Sequence, residues 1–335
     1  MKIVFFGLDK IEQSFFSESF KDAELSFVEE KLDESNVEKA KNAEIICIFV
    51  NSEINKNVLN ALPDLKFIAT RSTGFDHIDS DSALIKGIKI SNVPAYGSHT
   101  VAEFTFGLIL NLSRKIINAN NYIRESSDFH YFPYMEGFDL QGKTLGIIGT
   151  GKIGKNVVKI AKSFEMRTVA YDLYPDLVFA KENDLQYKSL SDVVAEADII
   201  TLHAPYNKEN HHLINKENIS IMKKGVYLLN TARGELIDTE ALVWGLKEGI
   251  IAGLGADVLE GERPLKTEND LSLNGKITED EKRIMRLNHE LMKMPNVIIT
   301  PHIAFYTREA VAEILRITIL NIRGFLDGKS INLIK

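Results

Sequence analysis

Short apolar runs alternate with polar, amphipathic stretches along the whole 335-residue chain. That is the pattern of strands buried on both faces and joined by helices. In the first hundred residues the runs at 2–6, 25–29, 45–50, 67–70 and 88–91 read as strands, with polar pieces at 33–42 and 55–61 between them. Residues 100–125 read as one long helix, apolar on more than one face through Val101, Phe104, Phe106, Leu108, Leu110 and Leu112. A second set of strands follows at 144–149, 167–171, 198–203, 225–230, 251–257 and 296–300. Residues 239–248 make a helix with Asp238 as N-cap and Gly249 as its stop. A last helix covers 308–327. Such alternation predicts parallel sheets with helices on both faces. Six strands complete the second sheet, so the last helix is expected to return to the first.

One strand–helix junction carries a distinctive turn. Thr144-Leu145-Gly146-Ile147-Ile148 leads into Gly149-Thr150-Gly151-Lys152-Ile153-Gly154, and Ile153, Val157, Val158, Ile160, Ala161 and Phe164 then share a helical face. In this context Gly149 allows a tight turn, Gly151 lets backbone approach a pyrophosphate, and Gly154 lets helix and strand pack closely. The N–H groups that open the helix hold the phosphate charge. The next strand ends in Asp172, an acceptor for adenosine ribose hydroxyls that would repel a 2′-phosphate, and Leu173-Tyr174 brings no arginine to bind one. NAD is therefore expected rather than NADP. Gly7, after the first strand, has no second glycine near it, so the first half lacks this fingerprint.

Composition narrows the class. Apolar content of 44% and charged content of 26% are ordinary for a globular chain. A net charge of −7 without a basic run argues against nucleic-acid partners. The single cysteine, Cys47, lies inside an apolar run, so it reads as a core residue in a protein without internal disulfides, suited to a reducing cytoplasm. The first residues are too short an apolar stretch for a signal segment, and no stretch reaches the ~20 apolar residues a membrane span needs. A soluble, cytoplasmic protein with no membrane partner is expected. No His, Cys or Asp grouping has metal-ligand spacing, so no metal is expected. His77, His99, His130, His211, His212 and His289 read as solvated or loop residues, the aromatics at 129–134 as packing, and the charged stretch at 263–294 as a surface excursion.

The second half concentrates polar residues where its strands end: Leu202-His203-Ala204-Pro205, Asn230-Thr231-Ala232-Arg233-Gly234-Glu235, Gly255-Ala256-Asp257 followed by Val258-Leu259-Glu260-Gly261-Glu262, and Thr300-Pro301-His302. Ligands of open parallel sheets sit at these carboxyl ends, here in the crevice expected between the two domains. Arg, Glu and His arriving there suggest a cation for a carboxylate, a proton donor, and an acid to tune that donor. Glu260, two residues from Glu262, is an alternative for the last role. His203 could do chemistry, but its neighbours suggest the cofactor groove.

With the stretches Arg71 to Asp79, Asn92 to Tyr96, Asn230 to Asp238, Asp257 to Glu262 and Pro301 to Thr307, the chain resembles the D-isomer-specific 2-hydroxyacid dehydrogenase family over nearly its whole length, and most its D-lactate dehydrogenase branch. The resemblance implies an α/β protein of two doubly wound parallel-sheet domains. A Rossmann NAD-binding domain (100–301) would be inserted into a flavodoxin-like substrate domain (1–99 plus 302–335), commonly in a homodimer. It implies that Arg233 binds the substrate carboxylate and carbonyl, that His302 is the acid/base, and that Glu262 partners His302. It places Lys152 and Ile153 at the pyrophosphate, Asp172 at the ribose, and Ala204, Pro205 and Asn210 along the adenosine half, in the cofactor groove where His203 is read from its neighbours. Thr231 and Ala232 would lie near the nicotinamide ribose and Asp257 at the carboxamide. Thr73 and Gly74 resemble a second carboxylate clamp, while Tyr96 and Tyr306, with Phe49 to Asn51 and Phe305, would shape the pocket. The activity implied is NAD-dependent interconversion of pyruvate and D-lactate. Alternatives are a bulkier D-2-hydroxy acid such as phenyllactate or hydroxyisocaproate, a phosphoglycerate, or an NAD-sensing corepressor-like protein on the same scaffold. A phosphoglycerate enzyme's regulatory module has no place after the last helix.

Overall fold

The computed structural model describes residues 1–267 and 277–334. Its chain divides into two compact units, Met1–Gly97 with Tyr306–Lys335, and Ser98–Phe305. Each is built on a parallel sheet, as the alternation of apolar and polar stretches predicts.

In the first unit β1 (Lys2–Phe6), β2 (Glu24–Val28), β3 (Ile45–Ile48), β4 (Phe67–Thr70) and β5 (Lys89–Ser91) lie in the order β2-β1-β3-β4-β5, all parallel. This is the flavodoxin-like order. Side chains alternate across the sheet, with Ile3, Phe5, Ile45, Cys47 and Phe67 on one face and Val4, Phe6, Ile46, Ile48 and Ile68 on the other, all fully buried. Both faces therefore need covers, which is why these strands read as unbroken apolar runs. The helix Arg308–Leu326 covers the Phe5 face with Leu315 and Ile322, beside Phe16 and Phe20. Phe325 near its end stacks on Phe67 at 4.4 Å. Thr307 starts this helix by accepting from the Ala310 N–H.

The second unit carries β6 (Thr144–Ile148), β7 (Arg167–Tyr171), β8 (Gln186–Tyr187), β9 (Ile199–Leu202), β10 (Val226–Asn230), β11 (Ile251–Ala256) and β12 (Val297–Ile299). Their order, β12-β11-β10-β9-β6-β7-β8, is that of a dinucleotide-binding sheet with one more strand beside its sixth. The sequence predicts six strands here. The seventh, β8, pairs two residues at the edge, too few to show a period of two.

Two further expectations change. The long helix at 100–125 is two helices, Ser98–Arg114 and Ile116–Ser126. Lys115 between them is left-handed at φ +55°, and the Phe138 N–H takes the Ser113 carbonyl at 2.9 Å. A Cβ on Gly137 would lie 2.3 Å from that carbonyl oxygen, so only glycine lets the crossing segment dock on the helix end. The 263–294 stretch is not wholly a solvated excursion, although residues 268–276 lie outside the described residues. Glu279–Lys293 forms a helix capped by Thr278, and its Leu291 is fully buried in the second unit's core beside Leu287 and Met294. Apolar residues at 284, 287, 291 and 294 give it one apolar stripe despite its charge. Among the 129–134 aromatics, Phe132 packs on Tyr134 and Tyr122, but Phe129 and Tyr131 are 89% and 90% exposed. Among the described residues no helix is long and apolar enough to cross a membrane.

Candidate active site

Because every strand of the second sheet runs the same way, their carboxyl ends share one edge. Gly149 follows β6, Asp172 follows β7, His203 follows β9, Asn230 ends β10, Asp257 follows β11 and Thr300 follows β12.

The glycine turn is constrained at two of its three glycines. Gly149 has φ +95°, and a Cβ on it would stand 2.5 Å from the Ala204 nitrogen and 2.7 Å from the His203 carbonyl carbon. A Cβ on Gly154 would meet the Gly149 oxygen at 2.1 Å. These contacts hold the His203–Ala204 backbone against the turn. Gly151 has open space at its Cβ position and caps the Lys152–Ser163 helix without a side-chain bond. The helix therefore begins with N–H donors and room for an anion, which fits a dinucleotide pyrophosphate. Lys152 is exposed and Ile153 half-buried.

Asp172 is held as an acceptor. Its Oδ2 accepts from the Thr150 N–H at 2.6 Å and from Thr150 Oγ1 at 2.8 Å, and its Oδ1 accepts from the Tyr174 N–H at 2.8 Å. Burial pushes its pKa up, but the Thr150 and Tyr174 hydrogen bonds and the Lys155 charge outweigh it and leave the carboxyl below the usual range. A carboxylate so fixed fits ribose hydroxyls.

His203 is buried, and its Nε2 shares a hydrogen with Thr201 Oγ1 at 2.9 Å. Burial lowers its pKa to about 3, so it is neutral at working pH and suits the cofactor groove rather than proton donation. Asn210 spends its amide locally: Nδ2 donates to the Pro205 carbonyl at 2.7 Å and Oδ1 accepts from the Asn207 N–H. It shapes the loop after His203. Thr231 is buried against Thr105, their hydroxyls 3.1 Å apart.

Arg233 sits in a turn that Asn230 braces, donating to the Arg233 carbonyl and accepting from the Ala232 N–H. A Cβ on Gly234 would fall 2.0 Å from the Leu259 carbonyl carbon, so glycine alone lets this turn approach the segment leading to Glu262. Glu235, quoted at the end of β10 but given no role from the sequence, is close enough to feel Glu262, Arg233 and Glu260; burial foremost, then Glu262, raises its pKa.

The histidine centre is explicit. His302 Nδ1 lies 3.0 Å from Glu262 Oε2, with both side chains about a quarter exposed at 30% and 23%. Glu260 does not compete for this role: its oxygens bond His212 Nε2 at 2.8 Å and Thr239 Oγ1 at 2.6 Å. His302 is left-handed at φ +59°, and Asp257 anchors the loop around it. Asp257 Oδ1 accepts from Thr300 Oγ1 at 2.5 Å and the Ile303 N–H at 2.9 Å, while Oδ2 accepts from the Ala304 N–H at 2.8 Å. Burial raises the Asp257 pKa against these bonds and the His302 charge. The family resemblance places Asp257 at the carboxamide; its observed hydrogen bonds run to the loop that carries His302. The sequence assigns no role to Thr150, Thr300 or Thr239; only the tertiary structure pairs them with their acids.

In the first unit, Thr73 Oγ1 donates to the Val93 carbonyl and the Thr73 carbonyl accepts from Asn92 Nδ2, both at 2.7 Å. Ser72 Oγ closes the turn onto the Gly74 carbonyl at 2.6 Å. Tyr96 is half-buried and Tyr306 is 67% exposed.

The family model for the NAD-binding domain of D-isomer-specific 2-hydroxyacid dehydrogenases matches residues 106–304. An aromatic 2-oxoacid reductase of Clostridium sporogenes is 43% identical over 289 residues, 85% of this chain and 84% of its own. The D-lactate dehydrogenase of Escherichia coli is 37% identical over 98% of both chains. The crystal structure of an Aquifex aeolicus D-lactate dehydrogenase, complexed with NAD and lactic acid, superposes with a TM-score of 0.88 at 37% identity, covering 98% of this chain and 96% of that one.

Proposed function

This chain belongs to the D-isomer-specific 2-hydroxyacid dehydrogenase family of NAD-dependent oxidoreductases, and from that premise we propose that it interconverts pyruvate and D-lactate. The observation that carries the proposal is the 3.0 Å pairing of His302 Nδ1 with Glu262. A carboxylate at one ring nitrogen fixes the ring's orientation and leaves the other nitrogen for proton exchange with substrate. Full-length similarity to the Escherichia coli D-lactate dehydrogenase supports pyruvate.

In this proposal Gly149, Gly151, Gly154, Lys152 and Ile153 hold the cofactor pyrophosphate, and Asp172 the adenosine ribose. His203, Ala204, Pro205 and Asn210 flank the adenosine half, and Thr231, Ala232 and Asp257 the nicotinamide half. The bound cofactor supplies the hydride. Arg233 orients the keto acid by its carboxylate and polarises the carbonyl. As C2 is reduced its oxygen gains negative charge, and His302 delivers the proton that neutralises it. Glu262 keeps the imidazole in place for the transfer. Thr73 and Gly74 are proposed carboxylate donors, and Tyr96 and Tyr306 substrate contacts. A homodimer is proposed as the assembled form, with exposed Phe129 and Tyr131 on the surface a second copy covers.

A second reading, an aromatic 2-oxoacid as substrate, draws on the 43% identical Clostridium sporogenes relative. The test follows NADH oxidation with pyruvate, phenylpyruvate and 2-ketoisocaproate and assigns product chirality. Highest kcat/KM for pyruvate with D-lactate formed supports the proposal, and preference for phenylpyruvate selects the second reading. NADH binding without turnover of any keto acid sinks both and points to a cofactor-sensing protein.

A further inference from the structure

A cluster away from the His302 pair has no part in the chemistry above. His211, His212 and Glu260 present ligand atoms that all lie within 4.8 Å of one another. The histidines are adjacent in sequence with rings stacked at 3.8 Å. The glutamate arrives from the far side of the β11 connection, so no spacing rule reveals the group.

We propose that His211, His212 and Glu260 bind a divalent transition-metal ion of the zinc class. Two imidazole nitrogens and one carboxylate oxygen, with water completing the shell, suit borderline ions and not magnesium or calcium, which prefer all-oxygen shells. Two of the three ligands are already placed. His212 Nε2 and Glu260 Oε1 are 2.8 Å apart, and the His212 N–H is tied to the Glu235 carbonyl at 2.9 Å, with φ +54°. Glu260 is steadied by Thr239 Oγ1 at 2.6 Å on its other oxygen and by Asn288 Nδ2 at 2.8 Å on its carbonyl. Supports of this kind orient ligands around a metal. His211 is exposed, with the Tyr206 hydroxyl 3.5 Å from its Nδ1. Ligand atoms sharing an ion at ~2.1 Å stand about 3.4 Å apart in a tetrahedron, so His211 swings in by an ångström or so. The ion would brace the 211–212 turn to the segment that continues into Glu262.

Untagged, EDTA-stripped protein is titrated with Zn²⁺ by calorimetry and with Co²⁺ by visible absorption. One ion per chain is expected, with a tetrahedral cobalt spectrum. Loss of an outer-shell partner costs ~10–100-fold in affinity, so His211→Ala, a surface change, should weaken binding by about 100-fold or more. His130→Ala, at an exposed histidine beside Asp128, should leave it unchanged. No stoichiometric binding, binding that survives His211→Ala, or binding lost in His130→Ala overturns the proposal.

Discussion

Replacing Asp257 by Asn tests how the site holds its histidine. Asp257 is 1% exposed, and its two oxygens accept from Thr300 Oγ1, the Ile303 N–H and the Ala304 N–H. His302 lies between these donors at φ +59°, a conformation that costs a residue with a side chain roughly 1–2 kcal/mol. The carboxylate keeps the loop in that shape. Asn preserves the volume but turns one acceptor into an NH₂ donor. With its oxygen toward Thr300 and Ile303, the amide faces the Ala304 N–H; flipped, it faces the other two donors. Either way a buried donor loses its partner, which costs about 1–3 kcal/mol. Global stability suffers less, because the substitution also removes a carboxylate whose burial raises its pKa. If the loss falls on His302 placement, kcat drops by ~5- to ~150-fold, at 1.36 kcal/mol per decade. Steady-state NADH oxidation at saturating pyruvate reads kcat, and fluorescence quenching reads NADH affinity. A lowered kcat with little change in NADH affinity is expected. Unchanged kcat with weakened NADH binding would refute the anchoring argument and leave Asp257 with its cofactor contact alone.

His302→Ala should lower kcat by ~10²–10⁴-fold, the range of general acid–base catalysis, while NADH binding measured by fluorescence persists; substantial residual turnover would remove His302 from the chemistry. Asp172→Ala gives up hydrogen bonds from ribose to a charged group, about 1.5–3 kcal/mol. The kcat/KM for NADH should therefore fall ~10- to ~150-fold with little change for NADPH, and an unaltered NADH-to-NADPH ratio would deny Asp172 the ribose. Cys47 is fully buried and its thiol is pushed up to about 12, so at pH 8 the native protein should resist a thiol reagent that labels it at once in guanidinium. The same shift gives stability that is present below the unfolded thiol's pKa, near 9, and is lost as pH rises through 12. Chemical denaturation of wild type against Cys47→Ala should show their difference narrowing over that window.

What the sequence determined by itself is what local patterning can encode. Strands buried on both faces must be apolar along their length, so β1, β3 and β4 announce themselves. Gly149, Gly151 and Gly154 mark a turn in which backbone, not side chains, must come close, and that demand leaves a trace at fixed spacing. Arg233, Glu262 and His302 stand out as polar residues near strand ends after apolar runs, and the family resemblance supplies the roles proposed for them. Boundaries set by contacts were not. Nothing within residues 100–125 foretells the break at Lys115, because the Phe138 N–H and Gly137 make it from a distant segment. The helix Glu279–Lys293 hides its buried stripe behind a charged majority. The family resemblance names Glu262 and keeps Glu260 as the alternative, but the contacts that separate two carboxylates on one short segment exist only in three dimensions: the fold gives Glu260 to His212 and Thr239 and leaves Glu262 for His302. The same assembly draws His211, His212 and Glu260 together across almost fifty residues, because ligand geometry depends on distance through space and sequence spacing records only distance along the chain.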